Sequence, residues 1–512
     1  MENIEKYTIK SYGFSIKIEI NGIKKKAIDY KVNIPEFSIP TLALLDTIKT
    51  RAITQISLTS SEILNSQGLG EVKKRFEEQV ASVLKEELPN VDQNEAVKNI
   101  LIGKLMNDMI GLGDIEFLLL DESLEEIVIN SSKEPIRVYH KRHGWLVTNI
   151  TIEKETQINN YAEIIARRVG RQITSLDPLL DAHLITGDRA NAVLYPIATK
   201  GNTITIRKFA RDPWTIIDLI DNQTVSLDVA IILWLAIEYE MNILISGGTA
   251  SGKTVFLNAC MPFVPPNHRI ISMEDTRELM LPEFLYWCPL VTRSPNPEGK
   301  GEVSMLDLLV NSLRMRPDRI ILGEIRRQRE AEVLFEAMHT GHSVYATVHA
   351  DTANETIRRL INPPINISPS MLNNVNLNVV MFRDRRSGKR RVYQLAEFLP
   401  GKEIITANIL YRWVPEKDEI VAHNESMAFF DELSRHTGMS QADINKNLAY
   451  KQSILIWLLK NKVRNLNSIG KVMNLYYTNP ELLASMIKKN EIAKVIVKEG
   501  HSSKEEKAQN EA

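Results

Sequence analysis

NILISGGTASGKTVFLNAC, residues 242–260, is the stretch on which the fold turns. Its apolar opening reads as a buried inner strand over Asn242–Ser246, and the run from Thr254 to Phe263 reads as a helix. Between them Gly247, Gly248, Thr249, Ala250, Ser251, Gly252, Lys253 and Thr254 meet the spacing GxxxxGK[ST]. Glycine lets the backbone curl until successive amide N–H groups point inward, and the helix start adds the positive end of its dipole. The loop and the following Val255 are therefore the candidate phosphate-binding residues. Lys253 is placed to reach the β and γ phosphates of a nucleoside triphosphate, and Thr254 to ligate Mg²⁺.

Working outward, HRIISME (268–274), DRIILGE (318–324) and HSVYATVHA (342–350) read as further inner strands between helical stretches, which makes an α/β core. Two of them end in acid. Glu274 and Asp275 close the first and Glu324 the second, at the sheet edge where such folds bind their ligands. Glu324 has no Asp before it in the usual metal-binding place, so Mg²⁺ is expected on Thr254, phosphate oxygens and water, with Glu324 acting through that water. Glu274 and Glu324 compete for the role of general base, and the reading prefers Glu274.

Three histidines, His339, His342 and His349, suggest a metal. However, His342 and His349 bracket one strand seven residues apart, which points them to opposite faces, and no cysteine completes a ligand set. His349, at the strand end, reads as a sensor of the γ-phosphate or of a neighbouring subunit. The plain alternative is a buried, hydrogen-bonded histidine.

The rest of the chain frames this core. With 512 residues, 44% apolar and 25% charged, it has the make-up of a globular protein of at least two domains. A net charge of −1 argues against a protein built to neutralise nucleic-acid phosphates. Cys260 and Cys288 have no CxxC partner and read as apolar thiols. MENIEKYTIK lacks the order of a signal peptide, and the longest apolar run, Val229–Ile237, is too short to span a bilayer, so a cytoplasmic location is expected.

Phe14–Val32 alternates around Asn21-Gly22 as a hairpin. Its Lys17, Lys24, Lys25, Lys26 and Lys31 form a basic face suited to solvent, anionic lipid or an acidic partner. Helices are expected at Glu71–Leu88, Asn94–Ile110 and near Ile158–Val169, and strands near Ala190–Tyr195 and Asn202–Phe209. The resulting division is a hairpin and helical docking region at 1–80, an α+β domain at 81–210 and a linker at 211–226. The core with a helical C-terminal part occupies 227–501, and 502–512 is a polar tail too poor in apolar residues to fold.

The motif order GGTASGKT, SMEDTREL, LRMRPDRIILGEIR and TGHSVYATVHADTA resembles the ring ATPases of type II and type IV secretion, type IV pili and archaeal flagella. LLLDESLEEIVIN, PLLDAHLITGDRANAVLYP and ITIRKFA extend the resemblance over most of the chain. WTIIDLI, TRELMLPE and INPPINISPSML look most similar to the archaeal branch, the archaellum motor ATPases.

The resemblance implies a RecA-like core in an oligomeric ring, usually a homo-hexamer, that hydrolyses ATP with Mg²⁺. It implies a peripheral place at the inner face of the cell membrane, a polytopic membrane platform protein as partner, and accessory cytoplasmic motor proteins. It places Lys253 and Thr254 on the phosphate and magnesium positions, Glu274 in the acidic box, Glu324 in Walker B, and His342 and His349 in the histidine box. Arg189 and Arg207 match arginines that reach the nucleotide from the N-terminal domain, with Arg167, Arg168 and Arg171 as weaker candidates. The four-cysteine zinc module of some bacterial members is missing, which removes zinc. A nucleic-acid ring motor is the competing class, disfavoured by the charge and by the lack of a basic, aromatic-interleaved groove.

Overall fold

The computed structural model describes residues 2–496 except 12–13, 24–25, 36, 56–65, 185–186, 210–212, 294, 296–298, 385 and 401–404. Lys24 and Lys25 of the basic hairpin and the tail at 502–512 lie outside the described residues. The chain divides into two compact units, Met1–Arg211 and Asp212–Ala512.

The first unit is built on a nine-stranded sheet of order β1-β2-β3-β6-β5-β4-β9-β8-β7. Its strands are β1 (Glu2–Ser11), β2 (Phe14–Ile23), β3 (Lys26–Asn33), β4 (Leu124–Ile129), β5 (Arg137–His140), β6 (Gly144–Thr148), β7 (Leu179–His183), β8 (Arg189–Val193) and β9 (Thr203–Arg207). The expected hairpin over Phe14–Val32 is present as the antiparallel pair β2 and β3, but β2 runs on to Ile23. Asn21 and Gly22 remain in the ladder, at a shift of register. The alternation of buried Ile16, Ile18 and Ile20 carries the strand past the Asn-Gly pair, and the shift of register leaves Ile28 of β3 as the extra, bulged residue.

These first strands belong to the same core as the rest of the sheet. Tyr7 and Tyr30 both donate to one oxygen of the buried Asp121 at 2.5 Å, and the Ser123 amide donates to the other at 2.8 Å. A buried carboxylate needs such donors to offset its lost hydration. Helices at Ser66–Glu87, Glu95–Met109 and Glu155–Arg168 match three expected from helical spacing.

The second unit holds another nine-stranded sheet, of order β12-β11-β13-β14-β10-β15-β16-β17-β18. β10 (Ile243–Gly247), β11 (Arg269–Glu274), β12 (Tyr286–Val291), β13 (Arg319–Leu322), β14 (Ser343–Val348) and β15 (Leu377–Arg383) pair in parallel. β16 (Arg390–Leu399), β17 (Thr406–Val414) and β18 (Glu419–Ala422) continue it antiparallel. Every residue of β10, β13 and β14 is buried, as expected for strands covered on both faces. This is the RecA-like α/β core with an α+β unit before it.

Within 211–226, Ile216–Asp221 is helical, started by a reciprocal cap between Thr215 and Asp218. Its Ile216, Ile217 and Leu219 are buried in the second unit's core. Helices at Phe429–Thr437, Gln441–Lys460, Leu466–Thr478 and Pro480–Lys489 close the chain. Among them Lys451 is fully buried, paired with Glu238 at 2.5 Å and hydrogen-bonded to the Tyr476 hydroxyl at 2.8 Å.

Candidate functional site

The strand order sets the site. β11, β13, β14 and β10 are consecutive neighbours, so Glu274, Glu324, His349 and the glycine loop emerge side by side at the C-terminal edge. At about 4.8 Å per strand, the backbone of Glu274 lies roughly 14 Å from that of the loop and Glu324 roughly 10 Å.

The loop leaves β10 through Gly247 at φ 150°. A Cβ there would lie 2.5 Å from the Met381 carbonyl oxygen and 2.6 Å from Ser251 Oγ, so no larger residue fits. A Cβ on Gly248 would lie 2.9 Å from Asp351 Oδ1. Gly252 is left-handed at φ 91° and caps the helix Lys253–Cys260, whose first turn carries Thr254 and the exposed Val255. Ser251 Oγ donates to the Gly248 carbonyl at 2.8 Å. Lys253 Nζ donates to the carbonyls of Gly247 and Gly248 at 2.9 and 3.1 Å. Burial lowers the Lys253 pKa, against the opposing pull of Glu324 and Asp351.

Glu324, two residues past β13, is held from two sides. Oε1 lies 3.3 Å from His349 Nε2, and Oε2 accepts from Arg326 Nε at 2.8 Å. Arg326 also bridges to Asp275, the residue after Glu274. The structure therefore brings together Lys253, Glu324 and His349. Burial, and after it the charge of Lys253, lower the His349 pKa and favour a neutral imidazole. His342 lies at the opposite end of β14, where its Nδ1 is 3.3 Å from the Ala337 carbonyl and from Thr340 Oγ1.

Glu274 sits in different surroundings. It is 3% exposed, its Oε1 accepts from the amides of Glu278 and Leu279 at 2.9 and 3.1 Å, and its Oε2 is buried without a hydrogen bond. Burial pushes its pKa up from 4.5 to about 7, despite the two amides that favour the charged form.

The two arginines of the first unit meet each other. Arg189 and Arg207 are directly opposed across β8 and β9. Arg189 is also forked onto Asp181 at 2.9 and 2.6 Å. Of the weaker candidates, Arg168 donates to the Ile110 carbonyl and Arg171 to that of Asp181. Sequence reasoning missed Arg326 and Asp351. A guanidinium two residues after Glu324 and an acid two after His349 were visible, but their contacts depend on which strands are neighbours.

The residues fit a Mg-nucleotide. Gly247 and Gly248 leave a backbone cradle closed to side chains, and a helix start with Lys253 faces it. The Thr254 hydroxyl and Glu324 carboxylate are oxygen donors of the kind Mg²⁺ takes alongside phosphate and water. Among the described residues no three His, Cys, Asp or Glu side chains cluster to hold a metal unaided.

Comparison with known proteins matches residues 122–384 to the family described as Type II/IV secretion system protein. The chain belongs to that family. The type II/IV secretion family match spans the second half of the first unit and the second unit through β15. An uncharacterized protein of Methanocaldococcus jannaschii is similar at 37% identity, over 73% of this chain and 69% of that one. The type IV secretion system protein PtlH of Bordetella pertussis is 33% identical over 43% of this chain and 72% of its own length. Among solved structures, the ATPase DotB of Legionella pneumophila is 19% identical over 76% of this chain and 96% of that one, with a TM-score of 0.39. No helix among the described residues is long and apolar enough to cross a membrane.

Proposed function

We propose that this secretion-family protein hydrolyses Mg-ATP and uses the cycle to drive assembly or rotation of an archaeal pilus-like filament, the archaellum, through a membrane platform protein. The observation that carries the ATPase reading is the convergence of Lys253, Glu324 and His349 beside a glycine cradle, with a buried carboxyl of pKa about 7 at the end of β11, the strand next to that of Glu324.

In this reading the loop amides and Lys253 bind and orient the triphosphate. Thr254 and Glu324 hold Mg²⁺, Glu324 through water, and the bound ion supplies charge neutralisation on the phosphates. Glu274 is the general base. A carboxyl with a pKa near 7 is about half ionised at neutral pH and far more basic than an ordinary carboxylate, which suits it to take a proton from water. Glu324, clamped by Arg326, orients the water, and His349 senses the γ-phosphate through Glu324. Arg189 and Arg207 come to the phosphates when the ring assembles, carrying fixed positive charge to oxygens that become more negative during transfer.

The assembly is a cytoplasmic homo-hexamer at the inner face of the membrane, with accessory motor proteins, contact of the basic hairpin with anionic lipid, and no nucleic-acid partner. The archaeal reading draws on the wording of the motifs together with the similarity to the M. jannaschii protein. A secretion role within the same family is favoured by relatives such as PtlH.

Steady-state phosphate release tests the first half: wild type turns over Mg-ATP, and Lys253→Ala does not. Turnover at the wild-type rate in Lys253→Ala refutes it. For the second half, Lys17→Glu with Lys31→Glu, both exposed on the hairpin, is expected to leave hydrolysis and abolish filament function. Steep salt-dependent binding to single-stranded DNA with DNA-stimulated hydrolysis would put the nucleic-acid motor in its place.

A further inference from the structure

Directly behind the phosphate loop stands Arg390, the first residue of β16. Its Nε donates to the Ala250 carbonyl at 3.2 Å, and its Cδ lies 3.2 Å from the position a Cβ on Gly252 would take. Ala250 is in the left-handed region, at φ 59°. For a residue with a Cβ that conformation costs on the order of 1 kcal/mol and persists only where its surroundings hold it.

The peptide after Ala250 matters for chemistry. A phosphate cradle works because N–H groups face in and carbonyl oxygens face out. A flip of that peptide would turn a carbonyl oxygen toward the phosphates, where like partial charges repel. Arg390 donates to that oxygen.

Arg390 is itself firmly based. The next residue, Arg391, is 4% exposed and forks onto Asp418 at 2.8 and 2.9 Å. Lys389 Nζ reaches the same carboxylate at 2.7 Å, and Trp413 Nε1 donates to it at 3.0 Å. These partners hold the Asp418 carboxyl well below the usual range. Arg391 Nη1 also donates to the Asn222 carbonyl at 3.1 Å, and the Val392 amide donates to that of Thr224 at 2.7 Å. The start of β16 is thus tied on one side to the segment Asn222–Thr224, which follows the helix Ile216–Asp221, and on the other to the glycine loop.

We infer that Arg390 is a positioning residue of the nucleotide site. It holds the Ala250 peptide in its left-handed, carbonyl-out form, while Arg391 fixes the strand from which it acts. The role is one of hydrogen-bond geometry, and charge near the phosphates is secondary to it. A lysine in its place carries its ammonium one atom farther out than Nε and loses the bond to Ala250.

This inference rests on the loop binding a nucleotide, and the test separates the two. Full-length wild type, Arg390→Ala, Arg390→Lys and Lys253→Ala are titrated calorimetrically with Mg-ADP and assayed for ATP turnover. Loss of one positioning hydrogen bond is expected to weaken Mg-ADP binding about five- to tenfold in both Arg390 variants. KM for ATP should rise by the same factor, with kcat within about twofold of wild type.

Wild-type affinity in Arg390→Ala overturns the inference and leaves the nucleotide site standing. Recovery of affinity in Arg390→Lys also overturns it, since charge alone would then suffice. Absence of Mg-ADP binding in wild type, with Lys253→Ala no different, defeats both. Because Arg390 is exposed, the variants are expected to fold. Should Arg390→Ala unfold, Arg390→Met, which keeps an unbranched stem and has no donor, carries the same readout.

Discussion

Replacing Glu274 with glutamine changes one atom in a closed site, and its consequences can be worked out from the geometry. The wild-type side chain keeps Oε1 on two backbone amides and buries Oε2 without a partner. Glutamine preserves the acceptor and puts an uncharged amide where the second oxygen was. Burial raises the wild-type pKa from 4.5 to about 7, so between those values the folded protein binds a proton that the unfolded chain does not. Stability therefore falls as pH rises through this window. At about 1.4 kcal/mol per pKa unit, the penalty reaches roughly 3 kcal/mol above pH 7.

Glutamine does not titrate, so its stability relative to wild type should rise by about 2 to 3 kcal/mol between pH 5 and pH 8. Urea unfolding at the two pH values measures this. Over the same range wild-type turnover should climb through about pH 7 as the base deprotonates. The Gln variant should lose about 10²- to 10⁴-fold and lack that limb. A stability difference that stays flat with pH would refute the burial argument. Turnover within tenfold of wild type would refute the assignment of the base.

Other sites give sharper single readouts. Glu324→Gln and Thr254→Val should each raise the Mg²⁺ concentration needed for half-maximal turnover, by about tenfold or more for a lost metal-site donor, read by Mg²⁺ titration at saturating ATP. Arg319, at the start of β13 and away from the loop, is fully buried with none of its three nitrogens hydrogen-bonded. Arg319→Met should stabilise the protein by about 1 to 4 kcal/mol in urea unfolding without changing nucleotide affinity. Lys451→Met removes the cation from the partly buried Glu238, which keeps only the Tyr476 hydroxyl as partner among the described residues, and should cost about 3 kcal/mol, most of it regained in the double variant with Glu238→Gln.

How far the sequence alone reached follows from what each feature needs. The glycine loop was legible because its backbone tolerates no Cβ at Gly247, and that constraint shows as spacing. Glu274, Glu324 and His349 were legible as the first polar residues after buried apolar runs. β16 was not anticipated. Its burial is nearly continuous across RRVYQLAEFL, so it lacks the alternation that marks a strand with one wet face. Asn21-Gly22 makes no turn because β2 continues to Ile23 with the bulge at Ile28 of the facing strand, and a bulge on the partner leaves no mark in the strand's own sequence.

Arg326, Asp351 and Arg390 share a deeper reason for being missed. Each lies against another segment: Arg326 against the Asp275 carboxylate, Asp351 against Gly248, Arg390 against the Ala250 carbonyl. Motif reading finds residues that would touch the nucleotide, since substrate chemistry fixes their type. Residues that hold those in place are set by strand order, and strand order is what the parallel sheet adds. The order β11-β13-β14-β10-β15-β16 puts an acid, an acid, a histidine, the phosphate loop and an arginine clamp along one edge. It also runs without a break from the proposed base to the strand tied to Asn222–Thr224, so a shift of the Ala250 peptide on nucleotide binding meets, through Arg390 and Arg391, the segment that opens the second unit.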